Sequence, residues 1–170
     1  MTLIEAPPRP DWSLAVSFLV VFGAQYLVPS YADSYKIWYK QIKKPSWTPP
    51  PWVFPVVWIP LKILQSVAAW LVWRRSPSVV QAAVPLGWFI AHLILGNMWN
   101  VSFFGRHQLK GSLYWMAGFW LSIAGSIALF WPVDPLSALL FAPTEVWVTI
   151  AAKLNYDIMA LNCTQARKPA

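Results

Sequence analysis

The chain has 170 residues, 58% of them hydrophobic and only 11% charged. Soluble domains carry about 25% charged residues, so this composition excludes an ordinary soluble fold and points to a membrane protein of one domain. The net charge of +7 does not indicate nucleic acid, because most basic residues lie in short segments between apolar runs, where they act as topology signals.

Residues 1–11 contain three prolines and two acids and do not read as a cleavable signal peptide. Five apolar segments follow that are long enough to span a bilayer, which needs roughly 17–25 helical residues. The expected spans are about 12–28, 52–73, 79–104, 109–131 and 136–161. A long loop, 29–51, separates the first two and carries Lys36, Lys40, Lys43 and Lys44. Within it, Tyr35–Ile42 is expected as a short interfacial helix with Trp38 and Ile42 on one face. Short turns between the last three spans predict antiparallel neighbours. The fold class is therefore all-α: a five-transmembrane-helix bundle forming a single domain over residues 1–170.

The stretch from Lys44 to Trp58, KPSWTPPPWVFPVVW, holds five prolines and three tryptophans. Proline fixes its own φ and biases the preceding residue away from helix. Lys44–Pro51 is thus a stiff, extended entry, and the chain becomes helical from Pro51 or Trp52, where proline is tolerated in the first turn. The side bearing this loop, Arg106, Lys110, Arg167 and Lys168 has eight basic residues, against three (Arg9, Arg74, Arg75) on the other. That bias places the loop and the C-terminus in the cytoplasm. Tryptophans near the span ends, such as Trp12, Trp73 and Trp131, suit the membrane interfaces. Cys163 is the single cysteine, so no intrachain disulfide is possible.

The Lys44–Trp58 run resembles the signature of the translocator protein family (TspO/MBR, the tryptophan-rich sensory proteins). Two further matches follow in order: Trp99 with Phe103-Phe104-Gly105, and Pro143, Trp147, Leu154 and Asn155 in the last span. The sequence departs from the family pattern at Lys62, Gly96, Val101 and Thr144. The resemblance implies a pocket for a flat hydrophobic ligand, with Trp47 and Trp52 as lid, Trp58, Trp99 and Phe103 as wall, and Trp147, Ala151 and Leu154 as floor. It implies a tetrapyrrole such as protoporphyrin IX or haem, or else a sterol, bound for transport, sensing or porphyrin turnover. It also leaves room for a homodimer, and for a mitochondrial outer membrane in a eukaryote or a bacterial membrane otherwise. Lys43, Lys44 and Arg106 are then placed to meet porphyrin propionates.

Helical arithmetic supports part of this: Trp147, Ala151 and Leu154 fall at roughly 0°, 40° and −20°, a single stripe. Plain helix packing would give the same stripe, since small residues let membrane helices approach. Four charges lie within spans: Lys62, Glu145, Lys153 and Asp157. Charges at depth are functional candidates. Glu145 lies about 160° from Trp147, and Lys153–Asp157 is an i, i+4 pair. An alternative function is a membrane enzyme using Glu145, Lys62 and His92 as acid and base on a lipophilic substrate. A third is a structural subunit docked through tryptophans. No catalytic or phosphate-binding motif is present, and His92, His107 and Cys163 lack metal-site spacing.

Overall fold

A computed structural model describes residues 12–27 and 31–163. The expected end of the first span at Val28, loop positions 29–30, Arg9, Arg167 and Lys168 lie outside the described residues. Among the described residues the chain is all-helical. Four elements are long and apolar enough to cross a membrane: α3 (Val53–Arg75), α4 (Val79–Asn100) with the π-helical turn Val101–Gly105 that prolongs it, α5 (Leu109–Phe130) and α6 (Pro135–Cys163). At 1.5 Å per residue the 22 residues of α5 reach about 33 Å, enough for a hydrocarbon core of about 30 Å. The first apolar helix, α1 (Trp12–Gly23), is shorter, at 12 residues, and tightens into a 3₁₀ turn at Ala24–Leu27. The side chain of Asn97 donates to the Ala24 carbonyl (2.7 Å), satisfying a backbone group at that change of winding.

The short helix expected over Tyr35–Ile42 is present within a continuous helical run over 32–41, in which α2 (Ala32–Ser34) passes into π-helical winding at Tyr35–Tyr39. Its expected apolar face survives the change, because Trp38 and Ile42 both pack on the cluster of Tyr39, Phe103, Leu154 and Ile158. Residues 43–50 are non-helical, as their prolines demand.

With no water in hydrocarbon, helix ends and polar side chains must find partners inside the protein. Ser78 caps α4 by accepting from the Gln81 amide (3.3 Å). Asp134 caps α6, accepting from the amide (3.0 Å) and hydroxyl (2.6 Å) of Ser137, with Arg75 3.9 Å away. Between helices, Gln65 of α3 donates to Thr144 of α6 (3.1 Å), and Ser17 of α1 to the Ser66 carbonyl of α3 (2.7 Å). Trp120 of α5 donates to Thr149 of α6 (2.8 Å).

The main apolar core gathers Phe89, Phe119, Ile123, Phe130, Phe141 and Val148 from α4, α5 and α6. The α4–α5 seam is close at Gly96, where an added Cβ would stand 3.0 Å from the ring of buried Phe119. Close approach through small residues is how membrane helices associate. Gly96→Val therefore drives a branched side chain into that ring and should cost roughly 1–3 kcal/mol, as overpacking does. Thermal unfolding in detergent measures the loss, and Phe119→Leu in the same chain should recover part of it. An unchanged midpoint for Gly96→Val alone would mean the seam yields freely.

Candidate functional site

The aromatic wall is assembled at the end of the bundle that carries the 31–52 loop. Trp99 stacks on Phe103 (5.5 Å between centroids, 22°), and Phe103 meets Phe104 edge-on at 4.8 Å. A π-helical turn presents Phe103 and Phe104 here; such turns often mark functional positions. Trp147 packs edge-to-face on Phe54 at 5.9 Å, and Phe54 in turn lies against the Phe103–Leu154 cluster. Ala151, Trp58 and Trp99 pack on the main core. Trp99 thus bridges the two clusters, Trp58 and Ala151 lying with the first and Phe103 and Leu154 with the second, while Trp147 reaches the second through Phe54.

Asn155 is the polar joint of this wall. Its Oδ1 accepts from Trp99 Nε1 (2.8 Å) and lies 3.1 Å from the Ser112 hydroxyl of α5. Its Nδ2 is buried and has no hydrogen-bond partner, and the same is true of Trp147 Nε1. Two indole or amide donors therefore stand unanswered along α6. Ser112 was not singled out in the sequence, where it is one of three serines, with Ser122 and Ser126, on a largely apolar helix.

Trp47 Nε1 donates to Asp157 Oδ2 (3.1 Å), and Lys153 Nζ stands 5.6 Å from the centre of the Trp47 ring. The Lys153–Asp157 ion pair is present. Trp47 is therefore latched to the outer turns of α6. Trp52 points away, 65% exposed at the start of α3. Asn162 binds the backbone of Lys43 in both directions, accepting from its amide (3.1 Å) and donating to its carbonyl (2.9 Å).

Of the basic residues at the mouth, Lys44 has a structural task. Its ammonium donates to the carbonyls of Tyr39 (2.6 Å), Ile42 (2.8 Å) and Lys40 (3.3 Å), and burial lowers its pKa. Lys43 and Arg106 are exposed. His107, in the left-handed region at φ 54°, stacks on Trp38 at 4.2 Å. Because the single Ser34 hydroxyl proton goes to the Phe104 carbonyl (2.6 Å), His107 Nε2 is the donor in its 2.8 Å bond to Ser34.

Of the three acid–base candidates, His92 and Lys62 are near enough to interact electrostatically, whereas Glu145 is hydrogen-bonded to neither. His92 is buried among Phe89, Phe119 and Phe141, with Nδ1–H donating to the Phe89 carbonyl. Lys62 lies 5.8 Å over the Phe22 ring of α1. Both Glu145 carboxylate oxygens are buried without a hydrogen-bond partner, so no hydrogen bond joins Glu145 to either. Among the described residues, no group of three His, Cys, Asp or Glu side chains is placed to hold a metal.

The profile of the TspO/MBR family matches residues 15–161. The chain belongs to the TspO/MBR family. It is 40% identical over 125 residues to Protein CrtK of Rhodobacter capsulatus, covering 74% of this chain and 78% of that one. It is 33% identical over 152 residues to the Tryptophan-rich sensory protein of Cereibacter sphaeroides (89% and 93% covered). The human Translocator protein is also 33% identical over 152 residues (89% and 88% covered).

The latch predicts its own release. In a Cys163→Ser, Ser46→Cys background, Asp157→Leu removes the acceptor of Trp47 and should speed maleimide labelling of position 46. The expected gain is about two- to tenfold, the factor given by roughly 0.5–1.5 kcal/mol of lost hydrogen bonding. Lys153→Met, which leaves the Trp47–Asp157 bond in place, should change labelling less. Equal effects of the two variants would assign the hold to the ion pair instead.

Proposed function

We propose that the protein is a five-span bundle, with α1 as its fifth crossing, that binds a flat hydrophobic tetrapyrrole against the Trp99–Phe103–Trp147 wall beneath the Trp47 loop. The observation that carries this is the pair of buried donors without partners, Trp147 Nε1 and Asn155 Nδ2, on an aromatic lining. An unanswered buried donor costs about 1–3 kcal/mol, so both stand ready for a ligand that brings acceptor oxygens or nitrogens. A planar ring stacked on indole and phenyl gains about 0.5–1.5 kcal/mol per aromatic pair beyond the area it buries. The names of the relatives, sensory protein and translocator protein, fit binding in the service of sensing or transport.

Between the named tetrapyrroles, protoporphyrin IX suits this wall better than a histidine-ligated haem. The chain has two histidines; His92 is enclosed by phenylalanines and His107 is stacked on Trp38. A sterol suits it less, since the two donors and stacked rings favour a flat acceptor-bearing molecule. In orientation, the loop and the C-terminal end of α6 face the cytoplasm, following the basic bias.

Protoporphyrin IX added to the purified protein should quench tryptophan fluorescence saturably. Ala151→Phe should weaken binding about tenfold or more, since overpacking costs roughly 1–3 kcal/mol. Asn155→Leu should weaken it as well, whereas Glu145→Gln, on the opposite face of α6, should not. Loss of binding in Glu145→Gln with none in Ala151→Phe would move the site to the other face and favour the enzyme reading, for which the two buried Glu145 oxygens are the supporting observation. Orientation is tested separately: a membrane-impermeant maleimide should reach Cys163 from the cytoplasmic side alone, and labelling restricted to the other side would invert the topology.

A further inference from the structure

At the other end of the bundle, on the face made by α1, α3 and α4, lies a groove of about 250 Å³ whose walls are almost wholly apolar. Along α1 its lining runs from Trp12 to Val20, about 12 Å at 1.5 Å per residue. That matches most of the hydrocarbon depth of one leaflet, roughly half of a 30 Å core. Ala69 and Phe89 line it from α3 and α4, and Trp12 and Trp73 mark its interfacial end. Two polar atoms break the apolar lining. Ser13, only 7% exposed, has a hydroxyl with no hydrogen-bond partner, and Trp70 Nε1 is likewise buried and unanswered. Ser17, one turn on from Ser13, shows the contrast: its hydroxyl reaches the carbonyls of Leu14 (3.0 Å) and Ser66 (2.7 Å). Trp70 is steadied by the Arg74 guanidinium, 5.3 Å from its ring.

We propose that this groove is a lipid site, separate from the aromatic wall, that takes one acyl chain of a glycerolipid with its ester carbonyl on Ser13 and Trp70. The chemistry suits a carbonyl. Both protein groups can donate, and a carbonyl oxygen accepts twice and donates nothing. A sterol hydroxyl could meet the same pair only by donating to the Ser13 oxygen while accepting from the indole N–H, so the depth of the site and the competition test below separate the two. The depth agrees, because Trp12 and Trp73 sit where indoles mark the membrane interface, the level at which ester groups lie. The acyl chain then follows the α1 stripe toward Val20.

The test uses the full chain in phosphatidylcholine vesicles doped with phosphatidylcholine bearing a diazirine on its acyl chain. After illumination, cross-links should map to peptides containing residues 12–20 and 69–73. Unlabelled diester phosphatidylcholine should compete about five- to tenfold better than its diether analogue, the factor expected for losing an acceptor to two buried donors. Ser13→Ala with Trp70→Phe should erase that ester preference. Should the double variant fold poorly, the ester–ether comparison on the unaltered protein still decides. Equal competition by the two lipids would reduce the groove to passive wetting by hydrocarbon and sink the proposal. So would better competition by cholesterol, or absence of cross-links from those peptides. Efficient disulfide formation between two chains carrying Ser13→Cys and Cys163→Ser would show a second copy filling the groove, which also overturns it.

Discussion

The absence of water from hydrocarbon governs this bundle more than any single contact. A buried polar group that finds no partner there costs several kcal/mol, so each inter-helix hydrogen bond doubles as a register mark. Gln65 to Thr144 sets α3 against α6, Ser17 to Ser66 sets α1 against α3, and Asn97 to Ala24 sets α4 against the end of α1. Three of these helices carry an interior proline, Pro60, Pro85 and Pro143, each removing one backbone bond. The Gln65–Thr144 bond lies immediately beside Pro143. Once the satisfied groups are accounted for, the few that remain become informative, and among the described residues they fall at distinct places: the α6 wall, Glu145, Ser102 in the π-helical turn, and the groove beside α1.

The wall itself depends on Asn155. By accepting from Trp99 and lying within reach of Ser112, its Oδ1 ties α4 and α5 to α6 at one level. That arrangement turns the amide so that its NH₂ has no protein acceptor left. Structural cross-linking and ligand readiness therefore come from the same side chain, one end for each. Trp147, one side of the same helix and two turns away, repeats the pattern: its ring is held by Phe54 while its N–H is unanswered.

Much of this was legible in the sequence because composition and proline act locally. Four of the five apolar segments appear as long helices within a few residues of their expected ends. The helical periodicity of α6 placed Trp147, Ala151 and Leu154 on one stripe, and the Lys153–Asp157 pair followed from spacing alone. What was not legible depends on contacts between distant residues. No local rule joins Trp47 to Asp157 across 110 positions, or Asn162 to Lys43 across 119. The same limit hid the work of Lys44, which reads as a charge for a ligand but closes the carbonyls of a π-helical turn. The first segment is an intermediate case. Helical winding runs from Trp12 to Leu27, close to the expected 12–28, but it passes from α to 3₁₀ after Gly23, a residue that weakens α-helix.

The interior ionisable residues test how far the wall and the enzyme reading can coexist. Acid–base catalysis needs its groups within hydrogen-bond reach of one substrate. His92 already donates one ring proton to its own helix inside a phenylalanine cage. Lys62 lies toward α1, against Phe22, and Glu145 faces away from Trp147. His92 is 1% exposed among Phe89, Phe119 and Phe141, and the wall is buried as well, with Phe103 and Asn155 each 2% exposed. The difference lies in contact: Trp99 stacks on Phe103 and donates to Asn155, so these groups already meet one another. Convergence of groups, rather than the presence of unusual ones, is what makes the wall the better candidate site.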